Sequence, residues 1–140
     1  MIFEFLPLRG VVDIEFGADR DAVRNILGTA YTSFKRTPLS VCPLDHFSGL
    51  GVFVLYDAQE KVEAFEFDDT GTVMFRGSNL VALTPSLFRE IITDSAAEYV
   101  EDEEEIISRS LGACGWFPSK STDQTQTAKS ILIFKEGYFE

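Results

Sequence analysis

Two stretches of this chain echo each other, and the echo is in the order of their elements, which constrains the fold more than any single segment does. In "FGADRDAVRNILG", residues 16–28, Asp19 is placed to cap a helix, Val23, Ile26 and Leu27 share one face, and Gly28 is placed to end it. In "LTPSLFREIITD", residues 83–94, Thr84 is the cap, Pro85 the first helical residue, and Leu87, Phe88, Ile91 and Ile92 form the apolar stripe. After a comparable interval, "SGLGVFVLY" (48–56) lines up with "RSLGACGWF" (109–117), keeping Leu-Gly at Leu50-Gly51 and Leu111-Gly112. "VEAFEF" (62–67) then finds its counterpart in "KSILIF" (129–134). Helix, strand, turn, strand is thus expected twice, as pseudo-repeats over 10–70 and 76–140.

The strand assignments rest on short apolar and aromatic runs bounded by turn residues. Asp57 to Lys61 reads as the turn of one hairpin, and "PSKSTDQTQTAK" as a longer polar loop. "VFVLY" and "SILIF" are apolar on both faces, so they belong in the middle of a sheet with helices on one side and loops or a partner on the other. Further strands are expected in "VVDIEF", "NLVAL", "AYTSFKR" and "EYV", with a loop between Pro38 and Phe47. The expected class is α+β: one antiparallel sheet with helices packed on one face. At 140 residues the chain makes a single domain that buries roughly two-thirds of its unfolded surface.

The formal charge of −11 is regional. Asp57, Glu60, Glu63, Glu66, Asp68 and Asp69 face one base, Lys61, within 57–69. From Glu90 to Glu105 there are eight acids and no base, ending in the run Glu101, Asp102, Glu103, Glu104, Glu105. Five adjacent carboxylates repel one another and are expected at a hairpin tip. A field of this sign argues against nucleic acid and against an anionic membrane surface, and leaves a basic protein or a cation as partner. No apolar stretch reaches the roughly 20 residues that cross a bilayer, and Glu4 stands where a signal peptide would carry bases, so a cytoplasmic protein is expected.

Catalytic signals are weak. His46, the only histidine, follows Cys42 by four residues, but Pro43 between them makes a shared helix face improbable, and His46 reads as an ordinary loop residue. Cys42 and Cys114 read as small buried thiols. Zinc would need about four Cys or His ligands, and "DDTG" (68–71) lacks calcium-loop spacing and reads as a turn. Neither a phosphate loop nor an acid pair in a concave site emerges, so no catalytic residue, cofactor or metal site is assigned.

The opening "VDIEFGADRDAVRNILG" resembles the start of small bacterial domains in which a strand, a Gly and a short helix ending in Leu-Gly precede an antiparallel sheet. Phe16, Gly17, Val23, Leu27 and Gly28 carry the likeness. The pattern is similar to the repeat of the β-lactamase inhibitor proteins, of small outer-membrane assembly lipoproteins and of immunity proteins that neutralise toxins. The chain lacks the lipidation cysteine of the lipoproteins and the within-repeat cysteine pairs of the secreted inhibitors. What the resemblance implies is a helix-plus-sheet repeat that presents a face.

The expected function is therefore a non-catalytic inhibitor or immunity protein that occupies a basic partner such as a toxin or nuclease. The alternatives are a module for a small molecule or cation, held between helices and sheet, and a Cys/His enzyme. Complementary charge accelerates encounter, but exposed ion pairs add little affinity, so aromatic anchors are needed as well. Tyr56, Trp116 and Phe117 are the candidates. Halves related by pseudo-symmetry would bring the 57–61 turn and the 101–105 tip to one rim.

Overall fold

The computed structural model describes residues 1–139. The first half of the chain forms strands Phe3–Leu6 (β1), Gly10–Val11 (β2) and Ile14–Glu15 (β3), the helix Arg20–Leu27 (α1), and strands Thr32–Phe34 (β4), Leu44–Phe47 (β5), Val52–Tyr56 (β6) and Val62–Asp68 (β7). The second forms Val73–Phe75 (β8), Ser78–Asn79 (β9), the helix Pro85–Asp94 (α2), and Val100–Glu101 (β10), Glu105–Ser108 (β11), Ala113–Trp116 (β12) and Ser130–Phe134 (β13). β4 to β7 and β10 to β13 are two antiparallel meanders that meet where β7 pairs with β13, giving one eight-stranded sheet ordered β10-β11-β12-β13-β7-β6-β5-β4. A smaller sheet, β3-β2-β1-β8-β9, contains a parallel pair, β1 with β8. The fold is α+β with mostly antiparallel sheets.

The large sheet has an inner and an outer face. Alternation puts Phe47, Val52, Val54, Phe65, Phe67, Ile106, Ile131 and Ile133 inward, where they pack with Val23 of α1, Phe88 and Ile92 of α2, and Phe3 and Phe5 of the small sheet. Phe3 meets Phe67 edge to face, with ring centroids 5.2 Å apart. Helices and small sheet therefore cover the same face, and "VFVLY" and "SILIF" are interior strands, as their apolar faces require.

The helices begin and end where local chemistry places them. Thr84 accepts a hydrogen bond from the Leu87 N–H, and Pro85 opens α2. Asp19 caps α1 by backbone position only, because its carboxylate pairs with Lys61. The buried stripes differ from expectation: Ile26 and Leu87 are exposed. On α1 the inward positions are Arg20, Val23, Arg24 and Leu27, so two arginines occupy places that a hydrophobic reading reserves for apolar side chains.

Other departures are local. "VVDIEF" breaks into β2 and β3 around Asp13, whose backbone is left-handed (φ 76°). Around "NLVAL" only Asn79 belongs to a strand, the short β9, and Leu80–Ala82 form a 3-10 turn. "LDHF" is strand β5, so His46 is a sheet residue and not a loop residue.

Both Leu-Gly pairs carry a backbone requirement. Gly51 (φ 65°) and Gly112 (φ 82°) turn the chain into β6 and β12 in the left-handed region. A Cβ on Gly51 would lie 2.5 Å from the Gly71 nitrogen, and one on Gly112 2.8 Å from the Phe134 carbonyl oxygen. Gly51→Ala is expected to lower the unfolding free energy by more than the roughly 1–2 kcal/mol that the backbone conformation alone costs. Gly77→Ala, equally left-handed but facing open space, should lose only that part. Urea unfolding of both checks this, and equal losses would remove the close approach from the explanation.

Candidate functional site

On the outer face of the large sheet, one row of register partners runs Asp68, Ser130, Trp116, Glu105 across β7, β13, β12 and β11. The next runs His46, Phe53, Glu66, Leu132, Cys114, Ile107 across β5 to β11. Among the described residues no helix packs on these rows; Arg36 and Tyr138 cover them in part. Arg36 stacks over Phe53, 5.2 Å from its ring centre, and pairs with Glu66 at 2.6 Å. Tyr138 packs on Phe134 with centroids 5.8 Å apart.

Between the rows lies a hollow of about 480 Å³, bounded by Glu66, Asp68, Glu105, Trp116, Lys129 and Leu132. Trp116 is 42% exposed, so a large aromatic stands at an acidic surface. His46 lies flat on Phe53, with centroids 3.8 Å apart, and its Nε2 is enclosed without a hydrogen-bond partner among the described residues. Cys114 forms part of the floor and donates to Glu105 at 3.2 Å. Burial, reinforced by that bond, pushes its thiol far above the ordinary range, so the nucleophilic thiolate is disfavoured.

The acidic windows are more committed than their composition implies. Asp57 accepts from the N–H groups of Gln59 and Lys61, and Asp68 from the N–H and hydroxyl of Thr70, so both serve their turns. Glu60 pairs with Arg20 at 2.8 Å, and Asp69 stands 3.9 Å from Lys129. Glu101 bonds Arg89 at 3.0 Å and lies 3.4 Å from Lys120. Burial alone would raise the Glu101 pKa, but these two bases hold it below the ordinary value. Asp102 is held low by the N–H groups of Glu104 and Glu105, which it caps. Glu103 and Glu104 are exposed and, among the described residues, make no ion pair.

Of the expected anchors, Trp116 is at the surface. Tyr56 and Phe117 are not: both are buried, Phe117 against Phe88 and Tyr56 with its hydroxyl on Asp45. The 57–61 turn and the 101–105 tip do not share a rim. Glu105 is level with Asp68 through Trp116 and Ser130, whereas the 57–61 turn leads into Val62 at the other end of β7. Seven strand residues separate those ends by roughly 20 Å. What shares an end with the tip is Asp68 and Asp69.

The sequence reading missed a buried polar centre under α1. Asp45 is fully enclosed; Arg24 grips its two oxygens at 2.9 Å each, Tyr56 donates at 2.8 Å, and Ser33 donates as well. Arg20 approaches to 4.0 Å and lies over the Tyr56 ring. Arginines four apart on one helix, with one aspartate inside a strand, are the sequence signal for it. With both oxygens of Asp45 engaged, this centre pins α1 to the sheet, while the Arg20 Nε beside it is buried without a hydrogen-bond partner among the described residues.

Among the described residues, no three His, Cys, Asp or Glu side chains are placed to hold a metal ion, and no helix is long and apolar enough to cross a membrane. Comparison with known families, characterised proteins and solved structures finds no match, so the reading of function rests on the geometry of this face.

Proposed function

We propose that this chain is a non-catalytic protein-binding module, an inhibitor of the immunity-protein kind, which occupies a basic partner such as a toxin or nuclease through the outer face of its large sheet. The observation that carries the reading is Trp116, half exposed beside Glu105, Glu66 and Asp68 on a sheet face that no helix covers. An aromatic anchor ringed by carboxylates is what a partner's arginine or lysine would meet, with cation–π attraction adding to ion pairing. Glu103, Glu104 and Asp69, at the same end of the sheet, extend the negative field outward and favour encounter. Asp57, Glu60 and Glu63, at the opposite end, fall outside this surface.

Two further readings belong with it. A cytoplasmic location fits a partner made in the same cell. Descent of the two halves from one duplicated unit is supported by the common order of helix and four-stranded meander, and by a left-handed Leu-Gly before β6 and β12.

Trp116 is the only tryptophan, so its fluorescence reports on this face alone. Affinity capture from lysate of the source organism at low salt should retain one basic protein that high salt releases. Adding that protein back should shift the emission to the blue and shield it from iodide quenching. Binding with unchanged emission and quenching would move the interface elsewhere.

A further inference from the structure

We propose that a second hollow, at the other end of the outer face, binds a small organic amine: an ammonium group carried on an apolar body. The cavity is about 490 Å³, in the range of small-molecule sites, and Val41, Leu44, Leu55 and Tyr138 give it largely apolar walls. Three charged residues, Arg36, Asp57 and Glu63, also line it, and Glu63 is the one without an ion pair among the described residues.

The backbone is built to aim that residue. Leu55 pairs with Ala64 and Tyr56 with Val62, so Glu63 is the extra residue of a β-bulge. Bulges re-aim one side chain out of the regular alternation and are over-represented beside binding sites. Here the result is a half-buried carboxylate with no hydrogen bond and no ion pair within 4.0 Å among the described residues.

The neighbouring charges are already engaged. Arg36, at the rim, is held by Glu66 and by the Phe53 ring. Lys135 stands 4.0 Å from Asp57, whose carboxylate also accepts from its own turn. Burial accordingly raises the Glu63 pKa, with Lys135 offsetting it only in part. A carboxylate withdrawn from water without a donor is unfavourable, and a ligand ammonium would supply both the donor and the countercharge. A neutral ligand would bury Glu63 further with nothing in return, an anion would be repelled, and a metal ion would find one free carboxylate where it needs several.

The site shares neither Trp116 nor Glu105 with the proposed partner surface, so either reading can fail alone. Benzylamine and its neutral analogue benzyl alcohol are suitable probes, followed by methyl NMR shifts of Val41, Leu44 and Leu55 and by thermal shift. Benzylamine should move those methyls and bind at least about tenfold more tightly than benzyl alcohol, as a charge-assisted hydrogen bond requires. Glu63→Gln, close in shape, should abolish that preference, while Glu136→Gln, at an exposed carboxylate outside the cavity lining, should preserve it. Equal binding of amine and alcohol, an undiminished preference in Glu63→Gln, or no methyl shift with benzylamine would each overturn the proposal.

Discussion

Asp45→Ala should lower the unfolding free energy by about 3–5 kcal/mol, the range for breaking a buried ion pair from one side. The loss comes less from the bonds removed than from what they leave behind. Arg24 and Arg20 would face the core without the carboxylate that both approach, and the Tyr56 hydroxyl would lose its acceptor. Domains of this size have roughly 5–15 kcal/mol to lose, so the variant should be partly unfolded at moderate temperature. Arg24→Lys should lose less than Asp45→Ala but more than a surface change, because an ammonium cannot repeat the two-point grip of a guanidinium. Urea unfolding of the three proteins gives the comparison. A loss below about 1 kcal/mol for Asp45→Ala, the scale of an exposed pair, would mean that this centre does not pin α1.

The same centre fixes a pH dependence. Burial by itself would raise the Asp45 pKa, but hydrogen bonds from Arg24, Ser33 and Tyr56, with the Arg24 charge, together hold it below the ordinary value. A carboxylate depressed on folding contributes its full stabilisation above its unfolded value, near 3.9, and loses it as pH falls toward the lower folded value. The stability gap between wild type and Asp45→Asn should thus be constant from neutrality to about pH 5 and narrow below about pH 4.

The second large effect concerns binding. Trp116→Ala should weaken association with the basic partner by about 2 kcal/mol or more, roughly thirtyfold, as the loss of a central aromatic anchor does. Its exposure predicts little change in folding stability, which separates the two roles. Glu105→Lys should slow association and flatten its salt dependence, because a charge at the edge acts mainly on encounter. Reversing Glu103 and Glu104 alone should have a smaller effect of the same sign. Reversing Glu101 would also break its contacts with Arg89 and Lys120, so that change reports on folding as much as on binding.

What could be read from the residues divides along physical lines. The helices were legible because caps, prolines and glycines act locally: Thr84, Pro85 and Gly28 each mark a boundary through their own backbone preferences. The central strands were legible because apolar side chains on both faces, inward ones buried and outward ones mostly half-buried, leave unbroken apolar runs at 52–56 and 131–134. "LDHF" escaped notice because its inward-facing aspartate looks like a loop residue until Arg24 is placed opposite it. Arg20 and Arg24 escaped for the complementary reason: arginine on a helix usually faces water.

The candidate site was legible in part. Trp116 and the carboxylates were readable as types, but not which of them stay free, because Arg36, Lys129, Arg89 and Lys120 come from distant segments. Nor could the sequence say which turns share an end of the sheet. That follows from the long-range pairing of β7 with β13, which sets the 57–61 turn and the acidic tip apart.

The central claim, that the outer sheet face is the binding surface, is tested most directly by parallel capture with three proteins: wild type, the double variant Trp116→Ala/Glu105→Lys, and Leu87→Ala on the exposed side of α2. The prediction is that one basic protein is retained by wild type and Leu87→Ala and lost from the double variant, with all three equally folded by circular dichroism. Retention by the double variant at the wild-type level, or loss confined to Leu87→Ala, would contradict it and place the interface on the helical side.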